Sequence, residues 1–454
     1  LVPLLSGMDL SSVDMLYEEF KTLALKGAKM ADRRGGAYGL AALFKAKGLA
    51  YVCQSDCVDV ITPLALTRPK DWSDYEQGAL FIIECASKYL GPLFEPLLPE
   101  MLPFLLAAYS SGRSDIREAA MDATACIVRN KVSLSTVKLI LPVLFKPLDD
   151  DNSSAGWRNR MASLDWLGSM AGLFQSGDLL SVIVPRLSVG LSDAHPDVQR
   201  AARDALGKYG QVLKNPEIRQ LYPHILAAMA DPPVNTPKCL DKILSTSFTF
   251  VVDGASIALL APILTRALRD RSSSQSVKMN AAQVIGNLGL IIDPRQIMGT
   301  FDPIIAALLS STSDAVPSIR SVAARVIGIL CNLVVKLKSG LAQVTKIEQD
   351  CLTAIADKTT NAIDRAGRAE CLAEIMAQSY GPEETASRLL SLQSDTNVCE
   401  EGLIRLIGYL PKAFAVQNQS EQLYDVAELG TRVLPRLLCC SCDDSTIIVG
   451  DVTL

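Results

Sequence analysis

One phase, repeated along the chain, constrains what this sequence can fold into. Val198, Ala201, Ala202, Ala205, Leu206 and Tyr209 follow the spacing of a helix with a single buried face. Ahead of them runs a polar turn, Ser192-Asp193-Ala194-His195-Pro196-Asp197, rich in residues that bond their own backbone or fix φ. Upstream of the turn, Leu180 to Leu191 has its own apolar spacing around Pro185. The unit is therefore helix, short turn, helix. Ile319, Val322, Ala323, Val326, Ile327 and Leu330 repeat the stripe step for step, and Ile116, Ala119, Ala120, Ala123 and Ile127 repeat it again.

Two series carry the same period. The second helices open on Tyr75-Glu76, Ile116-Arg117, Trp157-Arg158, Val198-Gln199, Val277-Lys278 and Ile319-Arg320, with Cys239-Leu240 filling a double gap. The first helices contain Pro63, Pro103, Pro142, Pro185, Pro223, Pro262 and Pro303. Both recur at about 40 residues, the period of HEAT and armadillo helix pairs. The fold expected is all-α, a solenoid of about ten such repeats. Val198, Ala202, Leu206, Ile319, Ala323 and Ile327 should form its core. Residues 1–454 read as one array, regular over 16–335 and weaker over 336–454. Asp149–Ser154 and Arg271–Ser274 fall at the turn phase, and Asp231–Pro237 reads as a long turn in a degraded sixth repeat. Leu1 is not an initiator methionine and the last pair stops partway at Leu454, so a longer array is expected.

Composition narrows the function classes. A net charge of −5 excludes a general polycation, so any nucleic-acid contact must come from local basic patches. The twelve cysteines are scattered, without a disulfide framework or paired metal spacing, as expected of a reducing compartment. No secretory leader and no uninterrupted apolar run of about 20 residues is present, so no membrane partner is expected and the cytoplasm is the expected location.

Catalysis has little to work with. His195 and His224 are the only histidines, and His195 sits in a turn where capping is its natural role. No phosphate loop, nucleophile elbow or zinc-protease helix occurs. Gly35-Gly36-Ala37-Tyr38-Gly39 lies within a helix stripe and reads as close packing; Cys53, Cys57 and the Cys439–Cys442 group read as small hydrophobes. No enzyme activity, metal or cofactor is expected. Basic residues cluster at Lys26, Lys29, Arg33, Arg34, Lys45 and Lys47, and again at Arg266, Arg269 and Arg271. They suit either a solvated face with arginines paired to turn aspartates, preferred for Arg33 and Arg34, or contact with the phosphates of ribosomal RNA or tRNA.

Asp32-Arg33-Arg34-Gly35-Gly36-Ala37-Tyr38-Gly39-Leu40-Ala41 resembles a signature of the general-control non-derepressible-1 family. So, in order, do Leu90–Pro96, Asp193–Gln199, Lys214–Ile218, Ala281–Asn287 and Arg320–Arg325; beyond Gly340 only Arg365–Glu370 follows, approximately. That family comprises HEAT-repeat activators of the initiation factor 2 alpha kinase, and its central region is similar to the HEAT domain of fungal elongation factor 3. The resemblance implies a non-catalytic scaffold of the amino-acid starvation response. It would touch the ribosome, through ribosomal RNA or ribosomal proteins; the basic clusters read above supply the candidate contacts, Arg33, Arg34, Lys45, Lys47, Arg266, Arg269 and Arg271. The kinase would be contacted through segments outside this chain. An elongation-factor-3-like translation factor and a generic HEAT adaptor for protein partners are the alternatives; ATP-binding cassettes like those of the factor do not occur here.

Overall fold

A computed structural model of the chain describes residues 2–58, 73–130, 132–149, 156–173, 177–357, 359–380, 384–385, 387–388, 405–410 and 413. Pro63, the run after Asp149, most of the weak copy from Pro382 and everything after Val433 lie outside them. Among the described residues the structure is helical, with one isolated bridge, Val252 to Ile292, in place of any sheet.

The helices are α1 (Val2–Ser6), α2 (Leu10–Lys26), α3 (Met30–Lys47), α4 (Leu49–Gln54), α5 (Ser73–Leu90), α6 (Leu98–Tyr109), α7 (Ser114–Arg129), α8 (Leu134–Asp149), α9 (Trp157–Ser169) and α10 (Gly177–Gly190). They continue as α11 (Pro196–Gln211), α12 (Pro216–Ala230), α13 (Pro232–Leu244), α14 (Gly254–Arg269), α15 (Gln275–Gly289), α16 (Pro294–Ser311), α17 (Pro317–Val334), α18 (Lys338–Ala356) and α19 (Ala362–Ser379). From α2 onward, even-numbered helices other than α4 open a pair and odd-numbered ones close it. The closing helices begin where the anchor residues do, with Ile116, Val198, Val277 and Ile319 each the third residue of its helix. Prolines 103, 142, 185, 223, 262 and 303 lie inside opening helices, where each removes one N–H from the helix's hydrogen bonding.

Asp231–Pro237 is not a long turn. It opens α13, with Asp231 at the N-cap and Pro232 and Pro233 in the first turn. Proline costs nothing there, because the first N–H groups of a helix have no partner inside it anyway. Trp157, the first residue of α9, and Cys239, the eighth of α13, are out of phase with the other anchors.

The described residues form two compact units. One comprises those of Leu1–Gln175 and Pro185–Val212, the other those of Ser176–Val184 and Leu213–Leu454. In the first unit Val198, Ala202 and Leu206 are fully buried, and in the second so are Ile319, Ala323 and Ile327. Small residues bring helices close. A Cβ on Gly78 of α5 would lie 2.0 Å from the Ala24 carbonyl of α2, and one on Gly36 of α3 2.5 Å from the Ala24 nitrogen. Gly36 and Gly39 of the α3 glycine run thus line a packing seam, while Gly35 faces open space. Asp74–Tyr109 and Pro317–Val334 are long and apolar enough to cross a membrane by length and composition, yet half of each apolar window is buried within the protein.

Candidate functional site

In seven of the nine closing helices the fourth residue after the N-cap is long and polar: Arg33, Arg117, Arg160, Gln199, Lys278, Arg320 and Arg365; in α13 that place is taken by the short Asn235. From that position a side chain can reach back over the preceding turn or sideways to the next repeat. Arg33, Arg117, Gln199, Arg320 and Arg365 donate to carbonyls of their own turns, at Gly27, Ser111, Asp193, Asp314 and Thr360, over 2.7–2.9 Å. Sideways, Arg160 holds the Asp193 carboxylate and Lys278 holds that of Asp314 at 2.8 Å. Arg33 donates to Gln77 at 2.7 Å, and Gln77 to Asp115 at 3.3 Å.

Of the candidate basic residues only Arg33 belongs to this ladder. Arg33 is buried, with Asp74 3.6 Å away, so its charge is spent inside the array. Arg34 pairs with Glu84 at 3.2 Å and lies over the Phe81 ring. Lys47 donates to the Met8 carbonyl at 2.9 Å, and exposed Lys45 stands 5.9 Å from the centre of the Tyr89 ring. These four residues of the N-terminal cluster therefore stand in four different settings.

The second cluster closes α14. Arg269 and Arg271 are exposed, whereas Arg266 is half-buried, its Nε enclosed without a hydrogen-bond partner. Burial lowers the Arg266 guanidinium from its ordinary value. Asp270 sits among them and stays anionic. Bonds from the Ser272 hydroxyl and amide, 2.7 and 2.8 Å from Oδ1, hold its carboxyl below the usual range. The cations still outnumber it, and they occupy a helix C-terminus, where positive charge is favoured by about 0.3–1 kcal/mol.

His195 caps α11: its Nδ1 accepts the Asp197 N–H at 3.2 Å, and its ring stacks on Trp157 at 3.8 Å. Arg158, paired with Trp157 in the sequence series, lies over that indole, so the ladder position falls to Arg160. The fixed offset from the N-cap would have found Arg160. Nothing in the sequence signals Gln77, which links Arg33 of the repeat before it to Asp115 of the repeat after it. Among the described residues no group of three or more His, Cys, Asp or Glu side chains is placed to hold a metal. Exposed Cys53 and buried Cys57 do not share an environment. An open hollow of about 450 Å³, lined by Phe248–Val251 and Leu290–Asp293, exposes Phe250, Val251 and Leu290.

Paired helices, with a polar side chain at one fixed position that bonds the preceding turn or, at Arg33, Arg160 and Lys278, the next repeat, define a HEAT-repeat array. Two family models agree: "EF3 N-terminal HEAT repeat" matches residues 33–206, and "Elongation factor 3/GNC1 HEAT repeat" matches 235–340. Together they span more than half of the chain, which belongs to the elongation factor 3/GNC1 family of HEAT-repeat proteins. The chain is 34% identical over 401 residues to the human protein named Stalled ribosome sensor GCN1. It is 33% identical over 370 residues to the eIF-2-alpha kinase activator GCN1 of Dictyostelium discoideum. To the Saccharomyces cerevisiae protein of the same name it is 30% identical over 390 residues. These matches cover 86%, 80% and 85% of the chain but only 13–14% of each relative's length.

Proposed function

We propose that the chain is a non-catalytic, ribosome-associated scaffold region of a cytoplasmic translational activator that stimulates the initiation factor 2 alpha kinase during amino-acid starvation. The observation that carries this reading is the likeness over 86% of the chain to a protein named as a stalled ribosome sensor, beside relatives named as activators of that kinase. The geometry supports a surface role. The polar side chains with the most elaborate bonding are used between repeats, and the exposed arginines at the end of α14 remain for a polyanion such as ribosomal RNA. Contact with the kinase belongs, on this reading, to segments outside the chain.

Sedimentation of the purified chain with ribosomes over a salt series tests it. Binding that weakens steeply with salt is expected, and no binding at low salt would overturn it in favour of an adaptor for proteins alone. A second reading has an observation of its own: the chain is 30% identical over 233 residues to elongation factor 3 of Phytophthora infestans. Stoichiometric ATP binding by calorimetry would favour that factor.

A further inference from the structure

The turn joining α14 to α15 carries a hydroxyl acceptor beside its cations. It reads Arg269-Asp270-Arg271-Ser272-Ser273-Ser274, and Ser272 and Ser274 are exposed. The Ser272 hydroxyl is committed to Asp270 at 2.7 Å. Ser274 is held more loosely: its Oγ lies 3.0 Å from that of Ser276 and takes the Val277 N–H at 3.4 Å. Ser274 also has Arg271 three residues before it and Arg269 five before, with small serines between. Protein kinases that select basic substrates place acidic pockets to receive arginines at those offsets, a match of charge and spacing. Presenting the segment requires only fraying of the last turn of α14 and the first of α15, the least stable part of any helix.

We propose that Ser274 is a phosphorylation site for an ATP-dependent, arginine-directed protein kinase. In the transfer the Ser274 Oγ forms a bond to the γ-phosphorus of ATP and the bond from that phosphorus to the β–γ bridging oxygen breaks. ADP leaves, and the hydroxyl proton passes to the kinase's base. The product carries about −1.5 to −2 charge at neutral pH, enough to cancel Arg269 and Arg271. It also stands four residues before Lys278, whose ammonium now holds Asp314 at 2.8 Å. Phosphoserine competes with Asp314 for that cation and loosens the tie between α15 and the turn before α17. The helix end alone makes no site; the exposed hydroxyl and the arginine spacing do. Its effect on ribosome binding rests on the function proposed above, while the modification does not.

The test uses the native full chain, ATP and a purified kinase directed to Arg-x-Arg-x-x-Ser. One phosphate per chain is expected, mapped by peptide mass spectrometry to Ser274, with Ser274→Ala abolishing it and Arg271→Ala slowing it at least tenfold. Phosphate on Ser272 or Ser273 instead, incorporation only after denaturation, or undiminished incorporation in Ser274→Ala overturns the proposal. Ribosome sedimentation of the phosphorylated chain is the second arm, with at least a tenfold loss of affinity expected. Failure of the unmodified chain to bind ribosomes would overturn the function proposed above and leave the mapping to decide the phosphorylation site.

Discussion

Arg160 grips the Asp193 carboxylate with two parallel bonds, Nε to Oδ2 at 2.7 Å and Nη2 to Oδ1 at 3.0 Å, so that α9 of one repeat holds the turn before α11 of the next. The same carboxylate accepts the His195 N–H at 2.8 Å, and the Asp193 carbonyl accepts Gln199. Asp314 repeats the arrangement with Lys278, the Val316 N–H and Arg320. Such an aspartate joins a cation from the previous repeat to the backbone of its own. Both partners in the first pair are mostly buried, so a double-mutant cycle of Arg160→Ala and Asp193→Ala should give a coupling of about 1–3 kcal/mol, between exposed and fully buried pairs. Coupling below the error of the denaturation curves would remove the ladder as a source of stability.

That pair also has a pH signature. Burial alone would raise the Asp193 carboxyl, but bonds from Arg160 and the His195 amide outweigh it and hold it below its ordinary value. The stability it contributes is present above its unfolded value of about 4 and is lost as pH falls through the lower folded one. Asp165, also on α9, does the opposite. Burial raises its carboxyl to about 6, with Asp204 adding to the rise and Lys208 opposing it. Between about pH 4 and 6 the folded chain holds a proton that the unfolded chain has released, so stability falls as pH rises through that window. Asp165→Asn should therefore stabilise the protein by about 1–2 kcal/mol at pH 7, after allowance for partial solvent screening, and leave it unchanged at pH 4. Melting temperatures at the two pH values decide it.

Two glycines in neighbouring helices should respond in opposite directions to alanine. Gly35 has no atom within 4 Å of a built Cβ, so Gly35→Ala in the middle of α3 should stabilise by about 0.5–1 kcal/mol. Gly78→Ala would drive its Cβ to 2.0 Å from the Ala24 carbonyl, which is backbone and can yield only by separating α2 from α5. A loss of about 2–3 kcal/mol is expected in urea unfolding. Equal tolerance of both changes would mean that the seam at Ala24 is not close-packed.

The repeat phase was legible because a one-faced helix forces its apolar residues onto a fixed spacing. The Val198 and Ile319 stripes carry nothing else, and the structure buries all of the first and all but the half-buried Val322 of the second. Signals with two physical meanings were less legible. Pro232 and Pro233 read as breakers by composition, yet they open α13, because only position distinguishes a helix start from a helix break. Trp157 matched the anchor pattern by residue type while the helix starts at it, which shifts the ladder cation from Arg158 to Arg160. Arg33 and Arg34 are adjacent in sequence but a helix turns about 100° between them. One enters the network of Gln77 and the other pairs with Glu84 nearer the surface. Charge clustering along a sequence does not resolve that difference.

Arg269 and Arg271 provide the sharpest test of where a polyanion would bind. Both are exposed at the end of α14, neither takes part in the ladder, and Asp270 between them is occupied by Ser272. Reversing both to glutamate leaves the buried face of α14 untouched, so helicity should be unchanged and the melting temperature nearly so. Each phosphate no longer neutralised by a cation lowers the slope of log affinity against log salt by about one. The double variant should therefore bind ribosomes at least tenfold more weakly at low salt, with a slope reduced by about two. Lys45→Glu with Lys47→Glu is the comparison. Lys47 is anchored to the Met8 carbonyl and only Lys45 is exposed, so a smaller loss, with some destabilisation from the broken anchor, is expected. If the lysine pair abolishes binding while the arginine pair leaves affinity and salt slope unchanged, the binding surface lies at the N-terminal cluster and the end of α14 is only a favourably charged helix terminus.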